Sequence, residues 1–356
     1  MKKKIGILTS GGDCPGLNAA IAAVVSHATL TYNWEVWGIP YATQGLLERK
    51  AIALNLHGLD LHGIDPLLSI GGTILGSINK GDTLAHSKEI IASYEALDLD
   101  ALIAIGGDGS LTILRELAKQ GDWNLVAIPK TIDNDVAFTE RAIGFDTAVN
   151  TVMDALNRLT YTAASHDRVM VVEVMGRTAG HLALHSGIAG GADIILIPEI
   201  PYSIAKICQK ITELRDKWGQ KFALIVVAEG AKTEEGKISC YRDSRGEVRM
   251  RGIGQYITEQ IPACTNNQLE TRLTILGHVQ RGGLPSAWDR TIAAAFGKAA
   301  IDSIALEQYD RMVAWQNGEV VSVPLPLVLS QSPFLVNPNN FLIKTARSLG
   351  IYVGEE

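Results

Sequence analysis

Cysteine is scarce in this chain. Four residues of 356 (Cys14, Cys208, Cys240 and Cys264) lie far apart in sequence, with no CxxC and no metal-ligand spacing. That excludes a dense disulfide framework and a zinc module, and the expectation is reduced thiols in the cytoplasm. Positive charge is not in excess either: 32 Lys and Arg stand against 38 Asp and Glu, a formal net charge of −6. No global field draws nucleic acid or an anionic membrane, so neither is expected as a partner. An anionic substrate would have to be met by local clusters of Arg and Lys. No apolar run approaches the roughly 18 residues of a membrane helix. The opening MKKKIGILTSGGD has an apolar stretch of about four residues before Gly and Asp, shorter than a signal-peptide core. Short-period repeats and low-complexity tracts are absent.

What is present is an ordinary globular composition, 47% hydrophobic and 20% charged, in a length that suggests about two domains. Short apolar runs alternate with helix-compatible segments. Strands are predicted at Lys4–Thr9, Glu35–Ile39, Ala101–Ile105 and Leu125–Ile128, with helices over Asn18–Thr29 and about Leu111–Lys119. The pattern restarts near residue 145. Thr147–Tyr161 places Val149, Val152, Met153, Leu156 and Leu159 on one helical face, and Val169–Val174, Ile194–Ile197 and Phe222–Ala228 read as buried strands. Helices are expected at Ser203–Lys217, Asp289–Leu306 and Asn340–Leu349, and the proline-rich Val321–Pro338 reads as an extended crossing. The fold class is α/β: two Rossmann-like, three-layer domains with mostly parallel sheets.

Two glycine-rich turns follow predicted strands, Thr9–Gly16 (TSGGDCPG) and Gly106–Ser110 (GGDGS). Neither fits GxGxxG or GxxxxGK[ST], which disfavours a dinucleotide or Walker site. Glycines at strand C-termini still let backbone N–H groups approach an anion, and two such loops favour nucleotide or polyphosphate binding. Asp108 is suited to Mg²⁺ rather than to phosphate. The stretch PKTIDND (129–135) sets Lys130 beside Asp133, Asn134 and Asp135, which alone could be a polar turn.

The blocks TSGGDCPGLNAAI (9–21), GGTILGS (71–77), IGGDGS (105–110), PKTIDND (129–135), SHDRVMVVEVMGRTAG (165–180), AEG (228–230) and LGHVQRGGLPSAWDR (276–290) occur in that order. Together they resemble the phosphofructokinase family. The resemblance implies Mg-dependent transfer of the ATP γ-phosphoryl group to the C1 hydroxyl of fructose 6-phosphate, in a cleft between the domains. A larger nucleotide-binding domain would comprise 1–144 plus about 282–325, and a smaller sugar-phosphate domain 145–281 plus about 326–356. It implies Asp133 as the base, supported by Asp135 and Thr131, with Arg177 stabilising charge on the migrating phosphoryl group. Met175, Gly176 and Glu229 would meet the sugar ring; Arg168, Arg272, His278 and Arg281 would grip the 6-phosphate. Gly12, Asn79, Lys80, Gly107, Asp108, Gly109 and Ser110 would hold the nucleotide. Arg168 and Arg272 would reach a neighbouring subunit, implying a homotetramer or homodimer.

Two positions bear on the phosphoryl donor. Gly109 matches the ATP users, because an aspartate there would repel the α-phosphate, whereas Lys130 matches the pyrophosphate users. ATP is the expected donor. The alternatives are pyrophosphate, and a non-catalytic regulatory paralogue, which would have no need of Asp108, Asp133 and Arg177. The arginines that bind allosteric effectors in studied members match Ala22, Ser26 and Thr160 here, so regulation is not carried over.

Overall fold

The computed structural model describes residues 2–56, 66–77, 83–237, 240–242, 248–250, 252–265 and 269–355. The predicted nucleotide contacts Asn79 and Lys80 lie outside the described residues. The chain divides into two compact units, Met1–Thr147 with Arg281–Pro333, and Ala148–Gln280 with Phe334–Glu356.

In chain order the strands are β1 (Lys4–Thr9), β2 (Glu35–Gly38), β3 (Ile52–Leu54), β4 (Ala101–Gly106), β5 (Leu125–Pro129), β6 (Val169–Val174), β7 (Ile194–Leu196), β8 (Ala223–Ala228), β9 (Cys240–Arg242), β10 (Val248–Met250), β11 (Thr271–Ile275), β12 (Arg311–Gln316) and β13 (Glu319–Pro324). The helices are α1 (Leu17–Tyr32), α2 (Thr43–Leu47), α3 (Ser87–Ala96), α4 (Asp108–Gly121), α5 (Phe145–Ser165), α6 (His181–Ala189), α7 (Ile204–Trp218), α8 (Ile253–Cys264), α9 (Ala287–Ala305), α10 (Leu325–Gln331) and α11 (Phe341–Ser348).

The first unit is built on a seven-stranded sheet of order β13-β12-β5-β4-β1-β2-β3. Its central strands are parallel, and antiparallel pairs close both edges, β2 with β3 and β12 with β13. Runs such as ALIAIG are buried along their whole length because both faces of the sheet are covered. Leu8, Leu102, Ala104, Leu125 and Ala127 join Leu111, Leu114 and Leu117 of α4 in one core cluster. The alternate residues Ile7, Ile103, Ile105, Val126 and Ile128 are equally buried. Helices α1 and α9, packed on each other and on β2 and β5, cover that side. Register aligns the strand ends: Thr9 pairs with Ile105, and Gly106 with Pro129. The loops after β1, β4 and β5 therefore leave one edge together.

The second unit carries a parallel sheet of order β11-β6-β8-β7. Val169, Val171, Ile194, Leu196, Ile225 and Val227 pack against Ile207, Ile211, Ile257 and Ile261 of α7 and α8. In α5 the fully buried Val152, Leu156 and Ala163 follow helical spacing.

Two expectations need correction. Val321–Pro338 is not one extended crossing: it contains the end of β13 and the helix α10, with Pro324 at its N-cap and Pro326 in its first turn, where proline costs no hydrogen bond. The expectation of reduced thiols fails at Cys208, which is disulfide-bonded. Separation along the sequence does not measure separation in the fold. Cys14 is the free cysteine among the described residues. Its buried Sγ donates to the Ile143 carbonyl at 3.4 Å, and burial pushes the thiol up to about 12, so it is inert.

Candidate active site

In the first unit the loop after β5 carries the densest polar chemistry. Lys130, Asp133, Asn134 and Asp135 are all buried, between 4% and 6% exposed. Thr131 organises the two carboxylates: the Asp133 amide donates to its hydroxyl oxygen at 3.1 Å, and that hydroxyl donates to Asp135 Oδ1 at 3.1 Å. Asn134, with φ 51°, points the other way. Its Nδ2 donates to the Glu140 carbonyl at 3.1 Å and its Oδ1 accepts from the Ala142 amide at 2.9 Å. The amide in the middle of the motif is thus a loop brace, flanked on either side by a buried carboxylate. Burial, then the charges of Asp133 and Asp108, push the Asp135 carboxyl up to about 7.

The glycine loops lie alongside. Lys130 Nζ donates to the Gly12 carbonyl, and its amide donates to Gly106 O at 3.0 Å. Burial lowers the Lys130 pKa, with the Arg281 charge adding to that and Asp133 and Asp13 opposing it. Arg281 Nη1 donates to Asp13 O at 3.3 Å, and a Cβ on Gly12 would collide with its guanidinium. The glycine-containing stretch GGTILGS (71–77) is tied to the first loop: Thr9 Oγ1 donates to Gly76 O at 2.8 Å and the Ser77 hydroxyl donates to Gly11 O. Asn18 of α1 holds its start. Nδ2 reaches Ile70 O at 3.2 Å and Gly71 O at 3.1 Å, while Oδ1 accepts from Ile74 N at 2.7 Å. Gly107 caps α4 in an extended conformation, with Asp108 as the first helical residue. Among the described residues a side chain at Gly109 would meet nothing within 4 Å, so this position faces open space.

In the second unit the loop after β6 is held by its own backbone amides. Met175 N donates to Gln280 Oε1 at 3.2 Å, Arg177 N to Glu229 Oε1 at 3.2 Å, and Gly180 N to Glu199 Oε1 at 2.9 Å. The three acceptors come from the segments after β11, β8 and β7, so every other strand of the sheet contributes one. Gly176 has φ 140°, and a Cβ there would press on the Ala179 carbonyl. Arg177 has φ 45° and its side chain is exposed. Arg168 grips Glu270 with both arms of its guanidinium, at 2.6 Å and 3.2 Å, and Arg272 pairs with the same carboxylate. The two arginines pull the Glu270 pKa down. His278 is exposed on the short 3₁₀ turn Gly277–Arg281.

The phosphofructokinase family model matches residues 4–304. The chain belongs to the phosphofructokinase family. A relative from Trichormus variabilis described as ATP-dependent 6-phosphofructokinase is 68% identical, covering 100% of both chains. Another so described, from Thermosynechococcus vestitus, is 63% identical over 100% of this chain and 94% of its own. Among solved structures, a Pichia pastoris phosphofructokinase in the T-state superposes with a TM-score of 0.80 at 30% identity, over 98% of this chain and 37% of that longer one.

Within this phosphofructokinase the sequence candidates fall into three groups. Thr131, Asp133 and Asp135 come together beside Gly12, Gly107, Asp108 and Ser110 in the first unit. Met175, Gly176 and Arg177 form the held loop of the second, with Glu229 accepting from it, and Arg168 and Arg272 form a pair across Glu270. Arg281 belongs to the first unit, where its guanidinium leans on the first glycine loop. Sequence reading missed Gln280, Glu199, Asn18 and Asp289. The last is a buried carboxylate of α9 that accepts from Gly144 N at 2.9 Å and Thr147 N at 2.8 Å, fixing the start of α5. Asn18, Gln280 and Asp289 are polar residues inside the family blocks, which was the available signal; Glu199 lies in none of them. Among the described residues no three of His, Cys, Asp and Glu converge on a metal point.

Proposed function

We propose that the chain is an ATP-dependent 6-phosphofructokinase, converting fructose 6-phosphate and ATP to fructose 1,6-bisphosphate and ADP in glycolysis. The observation that carries this reading is the buried Thr131–Asp133–Asp135 cluster flanked by glycine loops at the ends of β1 and β4. Asp133 accepts the C1 hydroxyl proton as the new O–P bond forms. The bond from the γ-phosphorus to the bridging oxygen breaks, leaving its electron pair on ADP. Thr131 and Asp135 orient that carboxylate. Arg177, with its backbone tethered and its guanidinium in solvent, meets the charge on the transferred group.

Two features favour ATP over pyrophosphate. Gly109 leaves space where an aspartate would repel an α-phosphate. Lys130, the residue that resembles pyrophosphate users, is engaged with the Gly12 carbonyl and buried. Its role in this chain is to tie two loops together. The donor set suits Mg²⁺: oxygen ligands only, too few for an all-protein cage, so Asp108 would hold the ion together with the phosphates of the nucleotide. When bound, Mg²⁺ neutralises charge on those phosphates.

Gln280, Met175, Glu229 and His278 serve the sugar phosphate. Arg168 and Arg272 act on the 6-phosphate held by a neighbouring subunit in a homotetramer or homodimer. Arg281 neutralises phosphate charge from beside the first glycine loop. Among the described residues no helix is long and apolar enough to cross a membrane; the cytoplasm is the proposed compartment. The test is a coupled assay of the purified protein with fructose 6-phosphate, Mg²⁺ and either donor. Turnover with ATP and none with pyrophosphate is expected; the reverse would overturn the donor assignment, and binding of fructose 6-phosphate without turnover would mark a regulatory paralogue.

A further inference from the structure

Gln280, in a loop of the second unit, is a fully buried polar side chain, 0% exposed. A buried amide must place both ends, and this one does so between two different segments. Its Oε1 accepts from Met175 N at 3.2 Å, at the first residue after β6. Its Nε2 donates to Gly277 O at 2.9 Å, at the start of the turn that carries His278. The strands that deliver the two segments, β6 and β11, are adjacent and parallel, and Leu276 N still bonds to Glu173 O at 3.1 Å. Beyond that bond the sheet ladder ends, and the Gln280 side chain takes over as the spacer between the segments.

We infer that Gln280 is a positioning residue that sets the separation between the Met175–Arg177 loop and the His278 turn, and thereby the fit of a sugar phosphate whose ring and phosphate reach both. The inference rests on the proposed reaction. A substrate read at two points is sensitive to the distance between them, whereas the nucleotide, assigned to the first unit, is not. The chemistry of the amide is specific. Gln280→Glu keeps an acceptor for Met175 N–H but turns a carboxylate oxygen toward the Gly277 carbonyl. Gln280→Met fills the same volume and loses both bonds.

The experiment compares wild type, Gln280→Glu and Gln280→Met in steady-state kinetics with ATP, in calorimetric titration with fructose 6-phosphate alone, and in thermal melting. For Gln280→Met, KM and the dissociation constant for fructose 6-phosphate are expected to rise about tenfold or more, with KM for ATP within about twofold of wild type. Gln280→Glu should fall between. Equal rises in both KM values, or a lowered melting point with unchanged sugar-phosphate affinity, would overturn the inference by making Gln280 merely structural. If Gln280→Met fails to fold, the ratio of the two KM values in Gln280→Glu decides. A wild type that binds the sugar phosphate but turns over neither donor would defeat the proposed reaction while leaving the titration to judge Gln280.

Discussion

The loop after β5 in the first unit and the loop after β6 in the second solve opposite problems. The first gathers like charges: Asp133 and Asp135 are buried side by side within the field of Asp108, and Lys130 is the buried cation beside them. Such a cluster is stable only while one carboxyl keeps its proton or a cation arrives. The second contains no buried charge of its own. Its backbone N–H groups are taken by side chains from neighbouring segments, and its one charged residue, Arg177, is displayed to solvent. The contrast teaches that one loop is poised electrostatically and the other sterically. Substitutions should therefore fail in different ways.

The largest effect expected short of losing the base is at Arg177. Arg177→Leu leaves the backbone bond to Glu229 intact and removes only charge, so turnover should drop by roughly 10³-fold or more with the melting temperature unchanged. Steady-state kinetics with thermal melting checks this; a destabilised variant would mean that the side chain also supports the loop. Gly109→Asp comes next. Among the described residues nothing blocks the new side chain, so the fold should tolerate it while KM for ATP rises about tenfold or more through repulsion with phosphate. Unchanged KM would remove Gly109 from the nucleotide's path.

A smaller effect is the pH dependence of stability without nucleotide. The Asp135 carboxyl titrates near 3.8 when unfolded and is pushed up to about 7 when folded. Between those values the folded state binds the extra proton, so its contribution to stability is greatest below about 4 and declines as pH rises to about 7. Asp135→Asn should flatten that slope in denaturant titrations at several pH values; an unchanged slope would assign it to other groups. Smallest is Asn134→Ala, which should cost about 1–3 kcal/mol by stranding the Ala142 amide and Glu140 carbonyl. Denaturant unfolding measures it, and no loss of stability would deny the loop-brace role.

Much of the fold was legible because its central strands are short, largely apolar runs covered on both faces. KIGILT, ALIAIG, VMVVEV and ALIVVA all stand out without any alignment. Elements with mixed surfaces escaped. Helix α8 carries Pro262 inside it, α3 has an exposed polar face, and the edge hairpin β12–β13 is only half buried. That hairpin did carry a signal: Asn317 and Gly318 both have positive φ, the Asn-Gly turn that suits a two-residue hairpin connection. For the site, PKTIDND alone reads as no more than a polar turn; it was the resemblance to the phosphofructokinase blocks that singled out Thr131, Asp133 and Asp135. Gln280, Glu199 and Asn18 act on backbone groups delivered by other strands, and no local spacing encodes such a partner. Arg281 illustrates the same limit, since its neighbour in space is Gly12, far away in the chain.

Asp133 is proposed as the proton acceptor, with no other part in holding the sugar. Asp133→Asn, measured for turnover with ATP and for fructose 6-phosphate binding by calorimetry, tests it most directly. Turnover should fall by roughly 10²–10⁴-fold while the sugar-phosphate dissociation constant stays within about twofold. Turnover within a few-fold of wild type, or binding lost in step with turnover, would contradict it.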